Sequence, residues 1–321
     1  MTQTRTQTRT QTRTQTRTQT ASRIVMVRPV RFCANPETMS SNRFQRSGHD
    51  AQSAQRTALF EFDRYVEAIR GAGVQVQVFH DSGDDRTPDS LFPNNWISLL
   101  HDGTIVTYPM EAPSRRRERK PAVIRRLMGD YQVSRIVDLS YFEHEGKYLE
   151  GTGAMVFDHE NRIIYACLSS RCHPEAIEKV AAQLACHLVL FEAFDRNGHA
   201  IYHTNVMMSV GRTLALVCLE AIVDVRQRQG VISSLEGDGK TIIAISHAQM
   251  ECFAGNVLEL SGAGGGPVLA MSTRAWAAFD ADQQARLTAY ATIAKSPLNT
   301  IEDLGGGGAR CMIAENFLPP A

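Results

Sequence analysis

From about residue 92 onward the chain repeats one pattern: a β-hairpin, a helix, then a single strand. "FPNNWISLL-HDG-TIVTYP" reads as two strands around a turn, a polar helical stretch follows near residues 115–129, and "YQVSRIVDL" reads as the third strand. The order recurs in "GAMVF-DHEN-RIIYACLS", a helix beginning near Pro174, and "HLVLFEAF". A third copy runs through "HTNVMMSV-GR-TLALVCL", a helix over residues 221–235, and "TIIAIS". The fourth runs "NVLELSGAGGGPVLAMS", a helical region through "AWAAFDADQQARLTAYA", and "NTIEDL". A spacing of roughly 50–60 residues lies in the range of repeat architectures.

Four units leave an orphan at each end. The N-terminal part offers the strand "RIVMVRP", an amphipathic helix with Leu59, Phe62, Val66 and Ile69 on one face, and the strand "VQVQVF". It lacks one hairpin arm, which "CMIAENF" near the C-terminus can supply. A fifth unit made from both ends would close a ring, and radial repetition leaves few exposed sheet edges. On periodicity alone, an α+β domain with unrelated hairpins is the alternative.

The segments leading into the units carry the chemistry: "FPNN", "LEGTG", "YHTN", "FAGN" and "GARC". In a ring they meet at the centre and bring together Asn94 and Asn95, Glu150, His203 and Asn205, Asn256, and Cys311. A cysteine, a histidine and a carboxylate are the parts of an activated nucleophile. Cys311 differs in context from Cys167 and Cys218, which lie inside apolar strands; it follows a run of four glycines and Arg310, and an adjacent cation favours a thiolate.

Composition narrows the partners. Formal net charge is zero over 321 residues, so no charge bias points to nucleic acid or a membrane surface, and a small-molecule substrate is the default. Seven scattered cysteines imply a reducing compartment and no disulfide framework; no apolar run approaches a membrane span, and a cytoplasmic location is expected. No cofactor is expected: "GDG" and "GGGG" do not form a nucleotide fingerprint, and "CHPE" with the scattered histidines lacks a paired zinc-ligand spacing, so no metal site is expected. The first twenty residues are a TQTR repeat without an apolar side chain after Met1, so residues 1–21 read as a disordered tail and residues 22–321 as a single catalytic domain. The oligomeric state is open, a homo-oligomer included.

"FPNNW", "SRRRER", "LEGTGAMVFD", "LSSRCHPE", "YHTNVMMSVG" and "GGGGARCMIAENF" together resemble the amidinotransferase-like, guanidine-modifying enzymes of the pentein superfamily. The resemblance is strongest to the citrulline-hydrolysing branch, the CtlX-type citrulline ureidases, and covers residues 22–318. It implies a five-bladed α/β propeller, with Cys311 as nucleophile, His203 as general acid and base, and Glu150 as the carboxylate partnered to histidine or substrate. Arginine-modifying members commonly carry aspartates where this chain has Asn95 and Asn205. Two aspartates suit a cationic guanidinium, whereas asparagine offers both donor and acceptor to a neutral ureido group. The expected reaction is therefore hydrolysis of citrulline to ornithine, ammonia and carbon dioxide through a covalent cysteine intermediate. An arginine deiminase or dimethylarginine hydrolase is the alternative, amidino transfer a lesser one, and a non-catalytic pentein-fold binding factor the alternative outside enzymes. Asn94, Asn95 and Asn205 are expected at the substrate, with Arg115 or Arg116 of "SRRRER" on its carboxylate.

Overall fold

The computed structural model describes residues 17–46, 51–82 and 86–321. Its strands form five separate three-stranded sheets. Four are consecutive in the chain: β3 (Ile97–Leu99), β4 (Thr104–Thr107) and β5 (Arg135–Asp138); β6 (Val156–Asp158), β7 (Ile163–Cys167) and β8 (His187–Phe191); β9 (Met208–Val210), β10 (Leu214–Val217) and β11 (Thr241–Ala244); and β12 (Leu258–Ser261), β13 (Pro267–Ser272) and β14 (Thr292–Ser296). The fifth joins β1 (Arg23–Arg28) and β2 (Gln75–His80) to β15 (Ala314–Glu315) from the other end of the chain. The expected closure by both termini is thus realised, and the fold is the five-bladed α/β propeller.

Every sheet has the same grammar. The inner strand pairs antiparallel with the middle one, joined to it by a short connection in the four consecutive sheets and drawn from the other end of the chain in the fifth, and the middle strand pairs parallel with the outer one. A parallel pair needs a crossover, and here a helix supplies it. These crossover helices are α1 (Ala51–Gly71), α2 (Pro121–Asp130), α3 (Pro174–Leu184), α4 (Val225–Gly237) and α5 (Ala281–Tyr290). Asp224 caps α4 and Asp280 caps α5, each accepting from backbone N–H groups of the first turn. The buried face of α1 is Ala54, Ala58, Phe62, Tyr65, Val66 and Ile69, packed on Ile24 and Met26 of β1 and Ala294 of β14; Leu59 is only half-buried.

Two expectations require correction. "NTIEDL" is a helix, Asn299–Gly305, and the outer strand of its blade is β14, seven residues earlier in start. No side chain of its own caps this helix. Both carboxylate oxygens of Glu61, on α1, accept from Thr300 N (2.9 Å) and Ile301 N (3.0 Å) instead, a cap no local pattern could reveal.

The second correction concerns the tail. Residues 17–21 belong to the folded body, while residues 1–16 of the expected disordered segment lie outside the described residues. Gln19 is buried: its Nε2 donates to Phe157 O (2.9 Å) and Val210 O (2.8 Å), and its Oε1 accepts from His159 N (2.6 Å). One side chain thereby satisfies backbone groups at the ends of β6 and β9, in two neighbouring blades, where the inner strands stop and their polar groups would lack partners. Among the described residues no helix is long and apolar enough to cross a membrane.

Candidate active site

Short turns deliver the chain into the inner strands on one face of the ring. They are Pro93–Asn95 before β3, Gly151–Ala154 before β6, Thr204–Val206 before β9 and Arg310–Met312 before β15, with Phe253, at φ 64°, turning the chain toward Asn256 before β12. The pseudo-symmetry thus brings residues far apart in sequence to one place. Cys311, His203, Asn95 and Arg115 line one cavity, together with Arg171 and Asp89.

Cys311 is buried, at 3% exposure, so it does not sit at the protein's edge despite its place near the end of the chain. Its Sγ receives Asn256 Nδ2 at 3.2 Å and Asn205 Nδ2 at 3.4 Å. The Asn256 amide is oriented by its other end, whose Oδ1 accepts from Arg310 N at 3.0 Å. Burial pushes the Cys311 thiol up from its ordinary value, and the Asn256 amide offsets part of that rise. The neighbouring cation contributes less than the sequence implied. Arg310 turns away, donating to Ile313 O (3.0 Å) and pairing with Glu315 (3.2 Å).

His203 Nε2 lies 2.9 Å from Glu150 Oε2, both side chains nearly or fully buried. A carboxylate acceptor there assigns the proton to Nε2 and leaves Nδ1 with its lone pair. Burial pushes the His203 imidazolium down to about 4, against the opposing pull of Glu150. For Glu150, burial acts upward, but Arg171, His203 and Arg115 outweigh it and hold the carboxyl well below the usual range. Arg171 Nη1 and Arg115 Nη1 reach Glu150 Oε2 at 3.3 Å and 3.4 Å. The resting site is therefore a neutral thiol, a neutral imidazole and an ionised glutamate.

Asn95 Oδ1 accepts from Arg115 Nη1 at 2.9 Å, and Asn95 Nδ2 is buried without a partner. Asn94 is buried but does not line the cavity, and both its polar side-chain atoms lack partners. Of the two arginines expected at the substrate, Arg115 lines the cavity with its donors engaged by Glu118, Asn95 and Glu150, whereas Arg116 turns to Met110 O and Glu111 O. Sequence reasoning missed Arg171, inside "LSSRCHPE", and Asp89. Cys33 and Cys252 do not line the cavity.

The glycine run is buried throughout, which makes close packing its main use. A Cβ at Gly305 would stand 2.8 Å from the Phe92 ring, and one at Gly308 would stand 2.8 Å from Asn256 Oδ1, the amide that orients toward the thiol. Gly153 is as tightly constrained. A Cβ there would overlap Asn95 Nδ2 and lie 2.7 Å from His203 Nδ1.

Residues 28–318 match the family described as N,N dimethylarginine dimethylhydrolase, eukaryotic. The chain belongs to this family. With it, the chain belongs to the pentein, amidinotransferase-like superfamily of guanidine-modifying hydrolases. Solved structures share the fold. ArgZ, an arginine dihydrolase from the ornithine–ammonia cycle in cyanobacteria, superposes with a TM-score of 0.72 at 18% identity over 93% of this chain and 41% of that one. Its substrate-bound N-terminal domain superposes with a TM-score of 0.71 at 18% identity, over 92% of this chain and 99% of that domain. The Pseudomonas aeruginosa dimethylarginine dimethylhydrolase complexed with citrulline gives 0.64 at 15% identity, over 92% and 99% of the two chains. This chain therefore spans about two fifths of full-length ArgZ and essentially all of its N-terminal domain. Among curated proteins no significant sequence match was found.

Proposed function

We propose that this family member hydrolyses the ureido group of citrulline. The observation that carries the reading is the Asn95 amide: Arg115 occupies its oxygen, so the end left without a partner is a donor. A ureido group has a carbonyl oxygen to accept from it; a guanidinium offers only donors and would meet Nδ2 donor to donor. Arg171 and Arg115 both line the cavity as anchors for the α-carboxylate, the first also held by Glu111, Glu150, Thr38 and Ser41 and the second by Glu118, Asn95 and Glu150, and Asp89, whose Oδ1 lacks a partner, suits the α-ammonium.

In the proposed reaction His203, through Nδ1, takes the proton of Cys311 as the sulfur attacks the ureido carbon. Glu150 stabilises the imidazolium so formed. The C–S bond forms as the carbonyl π pair moves to oxygen, where Asn95 Nδ2 donates. Collapse expels one nitrogen as an amine, protonated by His203; water, activated by the now neutral imidazole, then cleaves the C–S bond of the S-carbamoyl intermediate, returning the thiol and a carbamic acid that loses carbon dioxide to free the second nitrogen. Either ornithine or ammonia leaves first, and both orders end at ornithine, ammonia and carbon dioxide. No cofactor is required by these steps.

Hydrolysis of arginine or dimethylarginine is the second reading, favoured by the family's own description. Incubating the protein with citrulline, arginine and dimethylarginine separately, and assaying ornithine, ammonia and citrulline, distinguishes the two. Ornithine from citrulline supports the proposal; citrulline accumulating from either guanidine overturns it.

A further inference from the structure

A second cluster of reactive side chains lies outside the cavity, in the blade of β9, β10 and β11. Cys218 directly follows β10, Glu220 stands two residues on, and His247 opens the short helix His247–Glu251 that follows β11. The donor atoms of the three, a thiol sulfur, a carboxylate oxygen and an imidazole nitrogen, all lie within 4.8 Å of one another. Tetrahedral coordination with metal–ligand bonds of roughly 2.0–2.3 Å separates its ligands by about 3.3–3.8 Å, so the cluster needs only a small contraction to close on an ion.

The histidine points to a cation independently. Its Nε2 lies 3.0 Å from Phe194 O, a carbonyl that can only accept, so Nε2 carries the proton. The lone pair of Nδ1 then faces Glu220 Oε1 at 3.1 Å. Glu220 Oε1 also accepts the backbone N–H of His247, which holds the carboxylate beside Nδ1 with lone pairs left to receive an ion. An imidazole whose far N–H is held by a backbone carbonyl is also the usual arrangement of a metal-bound histidine. The Cys218 sulfur, fully buried within reach of both, adds a soft ligand of the kind that zinc binds once the thiol proton is displaced.

We infer that Cys218, Glu220 and His247 form a binding site for a thiophilic divalent metal ion such as zinc, with the fourth position left to water. The sequence spacing concealed it because its ligands come from the ends of two different strands. The helix His247–Glu251 leads into the turn that presents Asn256 to Cys311, so an ion there would tether the chain that carries the amide donor to the nucleophile.

The test uses the full chain, stripped with a chelator and titrated with cobalt(II), whose thiolate complexes give a near-ultraviolet charge-transfer band. One equivalent should develop the band. Cys218→Ser should abolish it, and Glu220→Gln and His247→Gln should each weaken binding at least tenfold, while Cys311→Ser should leave it unchanged. The two glutamine variants alter exposed or half-buried side chains, so they report even where Cys218→Ser folds poorly. Absence of a band, its persistence in His247→Gln at full affinity, or its loss in Cys311→Ser overturns the site.

Discussion

Arg115 Nη1 and Asn95 Oδ1 stand 2.9 Å apart, and because a guanidinium only donates, this contact fixes which end of the Asn95 amide is oxygen. Under the proposed function, selectivity for a ureido carbonyl is set from behind, by a residue whose own charge is absorbed by Glu118 and Glu150. Asn95→Asp keeps an acceptor for Arg115 and replaces the unpartnered donor by a carboxylate oxygen. Citrulline turnover should fall by roughly 10²-fold or more, the order seen when a donor to a developing oxyanion is removed. Arginine should inhibit the variant more strongly than the parent. Unchanged citrulline kinetics with no gain in arginine inhibition would show that Asn95 does not choose the substrate.

The proton inventory fixes a pH profile. Burial drives the His203 imidazolium down to about 4 and the Cys311 thiol above its usual value, so the neutral pair that reacts persists between those limits. As pH falls, the base is lost only near 4; as pH rises, the thiol proton is lost only beyond its ordinary range. The profile of kcat/KM should therefore be flat across neutrality, with no limb near 6.5. A limb centred near that value would mean that His203 is hydrated and charged in the free enzyme.

Gly153→Ala inserts a methyl group between Asn95 and His203. The overlap with Asn95 Nδ2, and the 2.7 Å approach to His203 Nδ1, should displace both side chains and reduce turnover by roughly 10²-fold, as about 1 Å of misplacement can. The stability cost should be limited to about 1–3 kcal/mol. Circular dichroism melting alongside the kinetic assay separates the two effects.

Cysteine substitutions should divide by role. Cys311→Ala should abolish turnover with little change in melting, whereas Cys167→Ala, which empties a fully buried position and removes a thiol donating to Ile201 O (3.3 Å), should cost roughly 1–2 kcal/mol and leave the chemistry intact. Measurable hydrolysis by the Cys311→Ala protein would remove the covalent mechanism.

Two truncations divide the N-terminal segment. Residues 2–16 contain no apolar side chain, and their removal should change neither melting nor turnover. Extending the deletion to residue 20 removes Gln19 and leaves Phe157 O, Val210 O and His159 N without their partner, at a cost of about 1–3 kcal/mol. Gln19→Ala alone should reproduce most of that loss in chemical denaturation.

Sequence disclosed what is periodic. The alternation of hairpin, helix and strand located the blades, and the shared position of Glu150, His203, Asn205, Asn256 and Cys311 ahead of successive inner strands indicated that they meet. Features that depend on contacts between distant segments stayed hidden. Arg171 reaches Glu150 from an irregular connection after β7, and Asp89 lies in a stretch without periodicity. Glu61 caps a helix more than two hundred residues away, so "NTIEDL" looked like a strand with no visible start signal for a helix. Gln19 is chemically identical to the other glutamines of its repeat; only its position next to open strand ends distinguishes it.

The strand that completes the blade of β1 and β2 follows Cys311 by only three residues. During translation, then, residues up to Glu315 must leave the ribosome before either the ring or the Cys311 sulfur is in place. Chains that stop short of residue 311 carry Glu150 and His203 without that thiol, and under the proposed mechanism they are silent as catalysts.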